Sequence, residues 1–394
     1  MNSIPNENKY SNADFEIDPN NGFLPNTEPL SKLSKEWEIV DELGAELPKL
    51  LLCDQVKQKI AKLKKLPVEK LNSRAERERA FMILSFLGHA YVWGEKKIPG
   101  SIPASLAVPW HKIGSLLGRP PVLSYASYAL NNWRLVDNNL EISVENLGLR
   151  QNFLGGQDED WFVTIHIEIE ARASWAINQL LNLSAQAKAK DFAAASATLA
   201  VIAGALENIH TTLLRMPEKC DPYIYYNRVR PYIHGWSNHP ALPDGLIYEG
   251  VEEYGNKPQK FRGETGAQSS IIPALDAALG INHQNDLLKQ YLLEMRSYMP
   301  PAHKKFIEVL ENLPNIREAI LNARNEAGNA LTNYNKCVGW VEKFRSLHLE
   351  YAVSYIHSQS EKTASNPNKV GTGGTPFVKY LEKHRDETLA HIIS

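Results

Sequence analysis

The chain has 394 residues, 43% hydrophobic and 22% charged, with a formal net charge of -2. A chain of this size buries a sizeable core and can enclose a cofactor, and its length suggests two domains or one large domain with an appendage. No Lys/Arg block stands out, so there is no electrostatic case for nucleic acid or an anionic membrane surface. The three cysteines, Cys53, Cys220 and Cys337, are widely spaced. They form neither a disulfide framework nor a metal-ligand spacing, which suits a reducing compartment. The opening MNSIPNENKYSNADFEIDPN lacks a basic start and an apolar centre, so no signal peptide is expected. No apolar run approaches the roughly 20 residues that span a bilayer, and the expected setting is the cytoplasm.

Residues 1 to about 35 are rich in Asn, Pro and Ser and read as an irregular arm. Helical periodicity begins near Ser34 and continues through LPKLLLCDQVKQKIAKLKKL. A strong helix follows from Arg74 to about Trp93, with Ala80, Leu84, Leu87 and Tyr91 on one face. IPGSIPASLAVPW holds three prolines and reads as irregular; HKIGSLLG and VLSYASYALNNWRL read as helices on either side of Arg119-Pro120-Pro121. The polar, glycine-containing stretch from Asp137 to Gly155 is the candidate linker.

Between Trp161 and Leu183 two patterns compete. Val163, Ile165, Ile167 and Ile169 alternate with polar residues in a strand-like period of two. The run continues into ARASWAINQLLNL without a turn signal, and Asp158, Glu159 and Asp160 suit a helix N-terminus, so a helix is expected. An alanine-rich helix runs from Phe192 to about Arg215, followed by an aromatic, irregular stretch from Asp221 to Tyr254 that suits a ligand-lining loop. GETGAQSSIIPALDAALG passes from a turn into a helix. Further helices fit Gln284–Ser297, Pro301–Leu310 and Asn315 through the His348 segment. Residues 358–374 read as a mobile loop over a site, and a terminal helix follows from Thr375. The fold class is all-α, without an internal repeat.

P-loop, dinucleotide, HExxH and GxSxG patterns are all missing. In CVGWVEKFRSLHLEYAVSYIH, Val341, Phe344, His348, Tyr351, Ala352 and Tyr355 share a helical face, so His348 sits within an apolar stripe. It is either a core histidine satisfied by one hydrogen bond or an axial haem ligand facing an apolar cavity. His166 shares a face with Phe162, Ile169 and Ala173; it too is either a core histidine or a distal group that binds a ligand or moves a proton. Arg228 and Arg230 lie among Tyr223, Tyr225, Tyr226 and Tyr232, which suits a carboxylate clamp or structural stacking. Asp276 and Arg345 are candidates to pair, or Arg345 to face a propionate. GTGGT at Gly371–Thr375 has the glycines of a phosphate turn, but no lysine follows, and a hinge or helix-entry turn is the plainer reading.

Seven blocks then occur in order: RAERERAFMILSFLGHAYVWGE, IPASLAVPWHKIGSLLGRPPVLSYASYALNNW, RPYIHGWSNHPALPDGLIYEGV, FRGETGAQSS, MRSYMPPAHKKFIEVL, FRSLHLEYAVSYI and GTGGT. Together they resemble the indoleamine 2,3-dioxygenase family of the wider tryptophan dioxygenase superfamily, in a bacterial- or fungal-like form. The resemblance implies an all-helical domain, residues 149–394, holding haem b, capped by an arm and small helical domain over residues 1–148. It implies His348 as the proximal haem ligand, and Gly263, Thr265 and Gly266 as the turn along the haem edge. Asp276 and Arg345 match the pair beside the propionates. Tyr125 and Tyr128 match the block reaching the distal pocket, Phe162 and Tyr225 the aromatics that pack on the indole. Arg230 matches the carboxylate-binding arginine, and Thr372 the loop threonine near the substrate amino group.

Three positions depart from the animal pattern. His166 stands where those enzymes have serine, although a two-residue shift of the block would place Thr164 there; Tyr225 replaces phenylalanine, and Tyr128 a smaller residue. The implied reaction is cleavage of the indole 2,3 bond of L-tryptophan by dioxygen, with an electron donor keeping the haem ferrous, His166 and Arg230 acting at the substrate, and no nucleic acid or membrane involved. Other readings stay open: a haem enzyme for a halogenated or otherwise modified indole, a non-catalytic haem protein, a helical interaction protein without cofactor, and either a monomer or a homo-oligomer.

Overall fold

Ser73 starts the first long helix for a local reason. Its hydroxyl accepts from the Glu76 amide, and the Glu76 carboxylate accepts the Ser73 amide in return. In the computed structural model of the chain, which describes residues 10–362, 371–372 and 377–394, the N-terminal part packs α1 (Glu38–Leu52), α2 (Arg74–Trp93) and α3 (Ala104–Leu117) together. The prolines of IPGSIPASLAVPW do not prevent α3. Pro103 precedes its first turn with φ -65°, and the Pro103 carbonyl accepts the Leu106 and Ala107 amides. Pro109 lies inside the helix, where its ring removes one backbone donor and is itself buried. The expected helix through VLSYASYALNNWRL shrinks to one π-helical turn, Ala126–Leu130. The Asn131 and Asn132 side-chain amides take the Ala126 and Tyr128 carbonyls there, and the chain leaves the helical path. The candidate linker is packed: Leu147–Gly148 pairs antiparallel with Arg134–Leu135, and Phe153 is fully buried. A parallel pair, Ser101–Ile102 with Ile247–Tyr248, ties the aromatic stretch to α3's entrance.

The C-terminal part contains α4 (Gln157–Ile177), α5 (Leu180–Ala189), α6 (Phe192–Leu214), α7 (Ile271–Leu279), α8 (Leu287–Met295), α9 (Pro301–Glu311), α10 (Asn329–Ala352) and α11 (Phe377–Leu389). The strand-like alternation resolves as helix α4, and its pattern has a packing cause. Ile165 and Ile169 enter one hydrophobic core, Val163 and Ile167 enter a second, and Phe162 packs against both. A helix sandwiched between two cores is apolar on opposite faces, which imitates a strand in sequence. Helix α6 is long and apolar enough by composition to cross a membrane, contrary to the expectation of no such run, yet half of it is buried inside the protein. It is a core helix, with Leu199, Ile202, Leu206 and Ile209 inside the larger core and the Cys337 thiol of α10 on the Leu199 carbonyl.

Two expectations need correction. The single helix from Asn315 to His348 is broken into Ile316–Asn322, Arg324–Ala327 and α10, because Gly328 adopts φ 48° and ψ -125°, a conformation costly for any side chain. The N-terminal arm is irregular but not loose. Phe15, Ile17 and Phe23 are buried in the larger core, with Phe15 5.3 Å from the Phe306 ring of α9. Of residues 358–374, Ser358–Lys362 is helical and Gly371 and Thr372 are placed; the rest of that segment, and Thr375, lie outside the described residues.

Candidate active site

Between α4, α7, α10 and α11 the two cores leave a cavity of about 390 Å³, within the range of small-molecule sites. Helix α10 brings Phe344, Arg345, His348, Tyr351 and Ala352 to its wall; α4 brings Phe162, His166 and Ile169. Ile209 and Leu213 of α6 and Ile271 of α7 make the surroundings apolar. Three single π-helical turns, Ala126–Leu130, Tyr225–Val229 and Val353–His357, adjoin the cavity. Each presents a tyrosine to it or just before it: Tyr125, Tyr225 and Tyr355. Such turns shift side chains out of the regular helical register and recur at functional sites.

The His348 ring is open to this space, although protein encloses the space itself, and burial pulls its pKa down to about 4, helped by the nearby His166. Among the described residues nothing hydrogen-bonds to the ring. A neutral imidazole with a free nitrogen, carried on a long helix and facing an apolar cavity, is the donor that an iron porphyrin requires. Had His348 been a satisfied core residue, its nitrogens would be occupied. At one end of the cavity Arg345 donates to Asp276 at 2.6 Å and also to the Thr388 hydroxyl of α11. Burial works against ionisation of Asp276, but Arg345 and His283 outweigh it and hold its pKa at about 2. Apolar walls, an imidazole nitrogen without a partner among the described residues and a guanidinium at one end together fit haem b.

On the opposite wall His166 Nδ1 lies 2.7 Å from the Phe162 carbonyl. A carbonyl only accepts, so Nδ1 carries the proton. Burial lowers the pKa of His166, so the ring is neutral and Nε2 keeps its lone pair. Thr164 is not on this wall; its hydroxyl donates back to the Asp160 carbonyl at 2.8 Å. Phe162 and Tyr225 rings lie 4.6 Å apart, Phe162 and His166 also 4.6 Å, and Tyr125 stands edge-on to His166 at 6.0 Å. The result is an aromatic slot in which the His166 Nε2 lone pair is available as an acceptor. Thr265, Gly266 and Thr372 also line the cavity, and the Thr372 hydroxyl donates to the Glu264 carbonyl.

Three sequence candidates lie behind the wall. Tyr128 is buried with its ring 6.4 Å from Phe162. Arg230 is fully buried beside Tyr225, its guanidinium 5.2 Å from the Tyr226 ring centre, whereas Arg228 is exposed. Gly263 holds the loop in place: a Cβ there would come within 2.2 Å of the Gly235 backbone nitrogen, so only glycine allows the two segments to touch.

Several residues had no signal in the sequence. Glu170 is buried near Tyr125, accepts from the Ser269 hydroxyl at 2.8 Å, and has its pKa raised to about 7 by burial. Tyr355 lines the slot with its hydroxyl on the Cys220 carbonyl at 2.7 Å. Glu264 faces the cavity from the loop between Gly263 and Thr265. His283, His384 and Glu387 bring ligand atoms within 4.8 Å of one another. Both His283 nitrogens already meet carboxylates, Glu387 at 2.6 Å and Asp276 at 3.3 Å, so this group acts as a hydrogen-bonded lock between α7 and α11 rather than a metal site. These contacts join residues from loops and distant helices, which spacing along the chain does not reveal.

The family model described as indoleamine 2,3-dioxygenase matches residues 11–391. The chain is 34% identical to indoleamine 2,3-dioxygenase 1 of Rattus norvegicus, over 97% of its own length and 95% of the relative's. It is 32% identical to indoleamine 2,3-dioxygenase of Saccharomyces cerevisiae, covering 99% and 94%. It is 30% identical to indoleamine 2,3-dioxygenase nanC of Aspergillus nanangensis, covering 95% of each.

Proposed function

The chain belongs to the indoleamine 2,3-dioxygenase family, and on that premise we propose that it cleaves the indole ring of L-tryptophan with dioxygen. The C2–C3 bond breaks and each carbon takes one oxygen atom, giving N-formylkynurenine, so both atoms of one dioxygen are retained. When bound, haem b supplies the redox chemistry that makes dioxygen reactive toward the indole. The observation that carries the reading is the free, neutral His348 ring on an apolar cavity, in a chain that matches the family almost end to end.

This chain's residues supply position. Phe162 and Tyr225 hold the indole plane, and His166 Nε2 accepts the indole N–H. The carboxylate is assigned to Arg230 by its match to the family position, although its side chain lies behind Tyr225 and not on the wall itself, and Tyr125, beside Glu170, closes the slot. Dehydration of the cavity strengthens each of these contacts. Arg345 and His348 would hold the haem, Arg345 at a propionate and His348 at the iron. An electron donor would be needed to keep a bound haem iron ferrous, and unpaired Cys53, Cys220 and Cys337 support a cytoplasmic setting.

The test is an absorption spectrum of the haem-loaded protein, reduced and under carbon monoxide, beside His348→Ala, with products formed from labelled dioxygen weighed by mass spectrometry. A histidine-ligated spectrum that collapses in the variant, with two labelled oxygens in the product, is expected. A spectrum indifferent to His348 would overturn the ligand assignment. The polar replacements at His166, Tyr128 and Tyr225 favour one second reading, a related indole as the preferred substrate; a higher kcat/KM on such an indole would select it.

A further inference from the structure

The cavity wall carries a carboxyl group that the reaction as derived above does not use. Glu264 is only 4% exposed, and its loop is pinned from both sides. Its amide donates to the Ile233 carbonyl at 3.0 Å, its own carbonyl accepts the Thr372 hydroxyl, and Gly263 beside it is pressed against Gly235. The side chain therefore cannot reach the outer surface by moving the loop. Among the described residues nothing donates a hydrogen bond to its carboxyl group. Its charge is near enough to Tyr125, Tyr128 and Tyr225 to push their hydroxyl pKa values up further than burial does. A buried carboxyl group without a donor is costly to keep, unless a ligand brings the donor.

The substrate proposed above brings two kinds of donor, the indole N–H and the α-ammonium group. His166 Nε2 answers the first. Thr372 spends its only proton on the Glu264 carbonyl, so it offers just an acceptor oxygen. An ammonium group has three N–H donors and needs more than that one oxygen. We propose that Glu264 accepts the substrate α-ammonium group, so that the cavity selects zwitterionic indole amino acids over indole acids that lack the amine. This rests on the reading of the chain as an indole amino acid dioxygenase. It also carries a proton signature. Burial raises the Glu264 pKa to about 8, so the empty group is mostly protonated near neutral pH. An ammonium ion beside it favours the carboxylate and expels that proton.

The experiment uses haem-loaded wild type, Glu264→Gln and Glu264→Ala, titrated with L-tryptophan and with indole-3-propionic acid, which keeps the carboxylate and ring but lacks the amine. Affinity is read from the Soret band and by calorimetry in two buffers of different ionisation heat. Wild type should prefer tryptophan by about tenfold or more and release about one proton on binding it. Glu264→Gln, a neutral isostere that keeps the fold, should lose most of that preference and the proton release, leaving indole-3-propionic acid binding nearly unchanged. Unchanged preference and proton release in both variants would overturn the assignment. If wild type takes another indole instead of tryptophan, the substrate reading fails separately, and Glu264 is judged on that indole with and without its amine.

Discussion

Arg230 combines complete burial with a lowered pKa, because burial disfavours its charge more than Tyr225 and Tyr226 favour it. Its guanidinium lies 5.2 Å from the Tyr226 ring centre, so it either clamps a substrate carboxylate or stacks on that ring. The two roles separate by substrate. Arg230→Ala should raise KM for tryptophan by about tenfold or more while leaving the affinity for indole, which has no carboxylate, within about twofold. Equal losses for both ligands would assign Arg230 to the fold. His166 makes a parallel case. Its Nδ1 proton is committed to the Phe162 carbonyl, so Nε2 has only a lone pair to offer. Wild type should therefore prefer tryptophan to its N1-methyl analogue by about tenfold, the worth of one good hydrogen bond, and His166→Ala should abolish that preference. An unchanged ratio in steady-state kinetics would remove His166 from the indole N–H.

At the scale of elements, α4 is where the sequence was most ambiguous and the structure is most informative. Ile165 and Ile167 are both 0% exposed although they point into different cores. Ile165→Ala and Ile167→Ala should each cost about 2–5 kcal/mol in chemical denaturation, whereas Trp175→Ala, 71% exposed on the same helix, should stay within about 0.5 kcal/mol. A one-sided helix would instead leave one of the two isoleucines tolerant. Periodicity located the helices at Arg74–Trp93 and around His348, although the first is buried on every side from Ala80 to Ala90 and not along one stripe. It failed where other chemistry overrides it: Asn131 and Asn132 taking carbonyls, Gly328 turning the backbone, and Pro109 accepted inside α3. The Gly263–Gly235 contact was also invisible, since it is a property of two loops. Gly263→Ala should lower the melting temperature and weaken tryptophan binding together, because its Cβ would force apart the loop that carries Glu264, Thr265 and Gly266.

At the scale of the whole molecule two hydrophobic cores adjoin the cavity, and the buried titratable groups record that packing. His348 and its stripe were legible because a histidine amid apolar helix positions is conspicuous; Asp276 and Arg345 were legible only as candidates, since a gap of 69 residues separates them. Glu159, Glu170 and Glu264 could not be read at all, as nothing in a sequence marks a carboxylate that folding will strip of water. Burial raises these three to about 7, 7 and 8, so the folded state holds protons that the unfolded chain releases above its own carboxylate range. Each therefore makes stability fall as pH rises from about 4.5 toward its folded pKa. Burial acts oppositely on His89 and His303, drawn down to about 3, and on His234, drawn well below the usual imidazole range. Unfolding lets these histidines take up protons, so their contribution falls as pH drops below about 6.5. The two trends offset each other between about pH 4.5 and 6.5, and only the carboxylates act above that window. The cofactor-free protein should thus melt highest near about pH 6 and lose stability from there to about pH 8, a decline that Glu264→Gln should reduce because its side chain never ionises. Melting curves recorded across that range, wild type beside the variant, decide it: a wild-type profile that keeps rising to about pH 8 would mean these carboxyl groups are hydrated in the folded protein and the cavity stands open to water.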